Sequence, residues 1–110
     1  MGRRICFALD LVNDAALIAE YEARHTAGAV WPKVVADIRA RGFESMEIWR
    51  TGDRMVMIAE VAEDYPREVS QPPEIAEWEA LMWRFQRPLP HAAEGDKWMV
   101  MQRIFDLGEQ

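Results

Sequence analysis

The chain has 110 residues, half of them apolar and 29% charged, a balance that supports a single packed domain over residues 1–110 and excludes a disordered chain. Its 19 acidic and 13 basic residues leave a net charge of −6, so a nucleic acid would meet repulsion and is excluded as a partner. The lone cysteine, Cys6, lies in an apolar run where a buried, inert thiol is expected; no intrachain disulfide is possible, which favours a reducing, cytoplasmic setting.

Residues 3–11 read as a strand. Their apolar part, Ile5 to Leu9, is too short for a signal-peptide core, and charges interrupt every later apolar stretch, so no membrane span is expected. Val12-Asn13-Asp14 offers a turn and a helix N-cap. Helix formers run from Ala15 to Arg41 but are interrupted by Gly28 and by Trp31-Pro32. Proline suits a first helical turn and not a helix interior, so two helical pieces are predicted, near 14–26 and 32–41. Arg41-Gly42 closes the second with a cation and a C-terminal glycine. Phe43–Thr51 and Arg54–Val61 are β-prone runs around Gly52-Asp53, the pattern of a hairpin. Residues 63–73 carry three prolines and read as a loop. Residues 74–87 read as a helix with Trp78, Leu81, Met82 and Phe85 on one face. Pro88-Leu89-Pro90 ends it, 91–96 form a polar loop, and 97–107 read as a last strand.

The order β-α-β-β-α-β is that of an α+β, ferredoxin-like antiparallel sheet with its helices on one face. Trp98, Met99, Val100, Met101, Ile104 and Phe105 put apolar groups on both sides of the last strand. The second sheet face is therefore expected to be buried too, most simply in a homodimer packed sheet on sheet, a dimeric α/β barrel.

Tyr21 and His25 are four residues apart on the first helical piece and share one face. As a pair they fit two readings: hydrogen-bonded groups on a helix surface, or a proton-transfer site, since imidazole titrates near neutral pH. Neither His25 nor His91 has a partner at ligand spacing, so no metal is implied. No glycine-rich phosphate loop is present, so no nucleotide cofactor is implied. Ser45 and Ser70 lack the glycines of a nucleophile elbow. The five tryptophans, Trp31, Trp49, Trp78, Trp83 and Trp98, fit core packing or the lining of a sugar pocket, where an indole packs on a pyranose face.

Tyr21-Glu22-Ala23-Arg24-His25 ahead of Trp31-Pro32, then Trp78, Met82 and the closing run from Lys97 to Leu107, resemble the L-rhamnose mutarotase family nearly end to end. The resemblance implies a small dimeric ferredoxin-like enzyme that interconverts the α and β anomers of a 6-deoxyhexose, with no cofactor. It implies that His25 is the proton donor and Tyr21 a sugar ligand. Met46 falls where the family carries a second sugar-binding tyrosine, and Trp78-Glu79 where it carries a tryptophan pair. Those two differences, and the likeness of residues 78–86 to fucose-using members, favour L-fucose over L-rhamnose. Ring opening needs an acid at the ring oxygen and a base at the anomeric hydroxyl, positioned groups that contribute ~10²–10⁴-fold. Glu79 and Glu47 are the carboxylates considered as base. The alternative reading is a non-catalytic sugar-binding or interaction module on the same fold.

Overall fold

In the computed structural model, which describes residues 2–110, the chain runs β1 (Arg3–Leu11), α1 (Ala15–Ala23), α2 (Pro32–Ala40), β2 (Phe43–Thr51), β3 (Arg54–Val61), α3 (Pro73–Met82), β4 (Gln86–Arg87) and β5 (Met99–Val100), with a short 3-10 turn at Leu107–Glu109. The strands form one antiparallel sheet in the order β2-β3-β1-β4, and β5 also pairs with β1. The mixed α+β class and the helix-on-sheet layering follow the sequence pattern. The boundaries have local causes. The Asp14 carboxylate caps α1 by accepting the Leu17 N–H at 2.9 Å. Pro32 and Pro73 open α2 and α3, where a missing N–H leaves no bond unmade. Gly42 takes φ 112°, a value that strains other residues, and turns α2 directly into β2.

Two expected elements change. The helix foreseen over 74–87 stops at Met82, and Gln86–Arg87 become a strand beside Asp10 and Leu11. The tertiary cause is Phe85. Its ring is buried, and its carbonyl accepts the Val12 N–H at 2.7 Å, which draws the chain off the helix and onto the edge of β1. The strand foreseen over 97–107 shrinks to Met99–Val100 against Phe7 and Ala8. Met101 adds one bond to the Cys6 carbonyl, 2.8 Å, after which the segment leaves the sheet. Ile104 and Phe105, expected to be buried by a second copy, are exposed within this chain, as is Leu107.

The core lies on one sheet face. Met55, Met57, Ala59 and Val61 of β3 are buried and alternate with more open neighbours. Opposite them, Phe7, Leu9 and Leu11 of β1 continue the same face. Tyr21, Val34, Ile75, Trp78 and Met82 bring α1, α2 and α3 onto it. Cys6, Val56, Ile58 and Trp49 point to the other face; Cys6 is half-buried rather than buried, and Trp49 is exposed.

Candidate active site

A helix wall and a sheet wall enclose a cavity of about 320 Å³ lined by Tyr21, Glu22, His25, Met46, Ile48, Arg50 and Met55, a volume suited to a small ligand.

On the helix wall, Tyr21 is buried, and its ring stacks on the His25 imidazole with centroids 4.2 Å apart. His25 sits in the turn that ends α1, where its own N–H bonds the Glu22 carbonyl. Its Nδ1 lies 2.7 Å from the Tyr21 carbonyl oxygen. A carbonyl only accepts, so Nδ1 carries the hydrogen and donates it, which leaves Nε2 as the basic atom of the neutral ring. Trp78 meets His25 edge-on at 5.8 Å and Trp31 meets Trp78 at 5.0 Å, so α2 and α3 back the imidazole with indoles. Burial pushes the His25 pKa below the ordinary 6.5, and the bond to the Tyr21 carbonyl opposes part of that shift. The ring is therefore neutral at pH 7.

The Tyr21 hydroxyl accepts a hydrogen bond from Gln86 Nε2 at 3.2 Å. Burial pushes its pKa up to about 12; the Gln86 bond opposes the rise and the Glu79 charge adds to it. The phenol thus keeps its proton at any physiological pH.

The sheet wall depends on an irregularity. In β2, Phe43 pairs with Val61 but Ser45 pairs with Glu60, so Glu44 is an extra residue, a β-bulge. Because side chains alternate, one inserted residue exchanges the two faces for the rest of the strand. Beyond it Met46, Ile48 and Arg50 stand opposite Ala59, Met57 and Met55 and turn toward the helices. Arg50 closes the rim: Nε donates to the Glu22 carboxylate at 3.0 Å and Nη1 to the Gly52 carbonyl at 2.8 Å.

Of the residues singled out from the sequence, the fold brings Tyr21, His25 and Met46 into this cavity. Trp78 belongs to the core behind His25 and is not part of the lining. Glu79 is exposed and paired with Lys97 at 2.5 Å, the ammonium of which sits over the Trp83 ring. Glu47 is turned by the bulge to the opposite sheet face, where it accepts from the Trp49 indole at 3.4 Å, so it is not a base for this cavity. Sequence reasoning missed Glu22, Ile48, Arg50, Met55 and Gln86. Glu22 was legible as the neighbour of Tyr21; the others had no local signal.

Among the described residues no group of three or more His, Cys, Asp and Glu is placed to hold a metal ion. Among the same residues no helix is long and apolar enough to cross a membrane. The cavity instead offers one basic nitrogen, one phenolic proton and an apolar wall of Met46, Ile48 and Met55. That set can move a proton on a small neutral polyol that also has an apolar side.

Comparison with known proteins gives a consistent result. A family model described as L-rhamnose mutarotase matches residues 4–107. An L-fucose mutarotase of Xanthomonas campestris pv. campestris is 50% identical over 113 residues, covering 97% of this chain and 90% of the relative. A Dictyostelium discoideum protein, whose name states no activity, is 32% identical over 109 residues, covering 91% of this chain and 86% of its own. Among solved structures, an L-rhamnose mutarotase from Formosa agariphila superposes with a TM-score of 0.69 at 15% identity, covering 96% of this chain and 98% of that one. At that identity the last likeness speaks for the fold.

Proposed function

The chain belongs to the L-rhamnose mutarotase family and is an anomer-interconverting isomerase; on that premise we propose that it acts on L-fucose in preference to L-rhamnose, by acid–base ring opening at His25. The observation that carries the chemistry is the His25 imidazole, fixed through Nδ1 and neutral, with Nε2 left for the cavity. In the opening half-reaction Nε2 takes the proton of the anomeric hydroxyl and the imidazolium so formed delivers it to the ring oxygen, as the bond from C1 to the ring oxygen breaks and C1 becomes the aldehyde carbon. Rotation about C1–C2 and closure then reverse the transfers. The imidazolium is thus a transient that accepts and donates one proton in each half, which reconciles a neutral resting histidine with the role of proton donor. The Tyr21 hydroxyl hydrogen-bonds the sugar, and Met46, Ile48 and Met55 pack on its apolar side.

Support for the fucose preference comes from Met46, which lines the cavity without a hydroxyl, and from the 50% identity to an L-fucose mutarotase. A site that reads hydroxyls through hydrogen bonds discriminates strongly when one donor is lost. NMR saturation transfer at equal enzyme and sugar concentrations tests it. Faster exchange is expected with L-fucose, and Met46→Tyr should move the ratio toward L-rhamnose. Equal or faster exchange of L-rhamnose by the wild type overturns the preference.

The proposal extends to a cytoplasmic homodimer. Trp49, Val100, Met101, Ile104 and Phe105 are large apolar side chains left exposed by one chain, apolar surface of the kind that a second copy buries. Light scattering at micromolar concentration should give twice the chain mass of 12.7 kDa; a mass of one chain rejects the dimer.

A further inference from the structure

Gln86 is the buried polar side chain that the reaction as described does not use. It enters the sheet as the first residue of β4, opposite Leu11, and is 6% exposed. Its amide is half satisfied: Nε2 donates to the Tyr21 hydroxyl, while Oε1 is buried with no partner, the one such side-chain atom among the described residues. A buried amide retained at that cost needs a reason, because an apolar side chain of the same size would leave no orphan carbonyl. The bond to Tyr21 supplies one.

Tyr21 is tied to His25 twice, by ring stacking and through its carbonyl to Nδ1. Its hydroxyl is the remaining free end. Because Gln86 occupies an acceptor site of that hydroxyl with an N–H, the phenolic proton cannot be spent on the amide nitrogen and turns to the cavity that Tyr21 lines. We infer that Gln86 is a positioning residue for the mutarotase site, fixing the Tyr21 hydroxyl as a hydrogen-bond donor to the sugar and, through the Tyr21 ring, the attitude of the His25 imidazole. This rests on the reading of Tyr21 and His25 given above. Burial alone would leave the phenol free to rotate its proton toward any acceptor; the amide N–H removes that freedom.

A double-mutant cycle isolates this role. Saturation-transfer rates with L-fucose, resolved into kcat and KM, are measured for wild type, Gln86→Met, Gln86→Glu, Tyr21→Phe and the Gln86→Met/Tyr21→Phe pair, with Tm recorded for each. Gln86→Met is expected to lower kcat/KM about tenfold, the size of one misdirected hydrogen bond, with Tm little changed because the orphan carbonyl goes while the Tyr21 hydroxyl loses one bond. In the Tyr21→Phe background the same change should cost nothing further. Gln86→Glu reverses the bond, since a carboxylate accepts the phenolic proton, and should be slower than Gln86→Met at neutral pH and recover as the introduced carboxyl is protonated. Wild-type rates for Gln86→Met, an equal loss with or without the Tyr21 hydroxyl, or wild-type rates for Gln86→Glu across pH would each overturn the inference. A wild-type rate for Tyr21→Phe would instead overturn the reading of the site, and the inference with it. Should Gln86→Met fail to fold, the pH dependence of Gln86→Glu decides alone.

Discussion

Tyr21 and His25 face the cavity because four residues make about one helical turn, whereas Met46, Ile48 and Arg50 face it because Glu44 bulges out of the pairing of β2 with β3. The first wall is local. Its geometry follows from sequence spacing, and its hydrogen bond, from Nδ1 to the carbonyl four residues earlier, closes within one turn. The second wall depends on pairing with β3, and its register is set at a bulge that neither composition nor alternation announces. A site with one wall of each kind should respond differently to damage on either side.

The largest effect is expected on the helix wall. His25→Ala removes the proton carrier and leaves a cavity that still binds sugar, so the exchange rate should fall by ~10²–10⁴-fold with little change in Tm. Saturation transfer beside a melting curve measures both, and a wild-type rate in a folded variant removes His25 from the mechanism.

Deleting Glu47 tests the sheet wall. Pairing kept as far as Met46 would then turn Trp49 toward the helices and Ile48 and Arg50 away from them, because one residue fewer exchanges the two faces beyond that point. Misplacement on that scale should cost on the order of 10²-fold in kcat/KM. Keeping Phe43 beside Phe7 in the core should hold the rest of the sheet. Unchanged exchange in the deletion variant would mean that β2 contributes no functional wall.

A smaller effect is readable from pH. His25 has its pKa lowered in the folded state, so the basic form is complete at neutrality and is lost as pH falls through a value below 6.5. The acid limb of kcat/KM should therefore have its midpoint under 6.5. A midpoint above 6.5 contradicts a desolvated imidazole as the reacting base.

The smallest effect on activity is expected on the opposite face of the sheet, where Asp10 receives two hydrogen bonds from Arg54, at 2.7 and 3.1 Å, with Arg87 at 3.7 Å. These arginines sit in register with Asp10 on the neighbouring strands. The Arg54 bond, more than charge alone, holds the carboxyl below its ordinary 3.8, against desolvation. The folded pKa is depressed, so the stabilisation is present above pH 3.8 and disappears as pH falls through the lower folded value. Asp10→Ala should cost about 1–3 kcal/mol at pH 7, with a difference from wild type that narrows in acid. Chemical denaturation at pH 7 and pH 3 checks both the size and the sign. A difference that widens in acid would assign the stability to other groups.

Much of the fold was legible because its causes are local. The Asp14 cap, the prolines opening α2 and α3, the glycine after α2 and the hairpin at Gly52-Asp53 each act within a few residues, and the hairpin strands end where the sequence pattern ends them. The pairing of Tyr21 with His25 was legible for the same reason. The course of the chain after Met82 was not, since residues 83–87 keep a helical pattern and are drawn onto β1 only by the burial of Phe85 and its bond to Val12. Nor was the shortness of the last strand, because β4 and β5 share one edge of β1.

By itself, then, the sequence determined the α+β class, the helix that carries Tyr21 and the closing turn that carries His25, and the family, since these rest on residue spacing and order along one segment. Only the tertiary structure decided which side of β2 meets that helix, that Glu47 and Glu79 stand outside the cavity, and that Gln86 reaches the Tyr21 hydroxyl. Those outcomes join residues as far apart as 21 and 86, and they turn on a single-residue bulge that alternation in the strand cannot reveal, because both faces of β2 carry apolar and charged side chains alike.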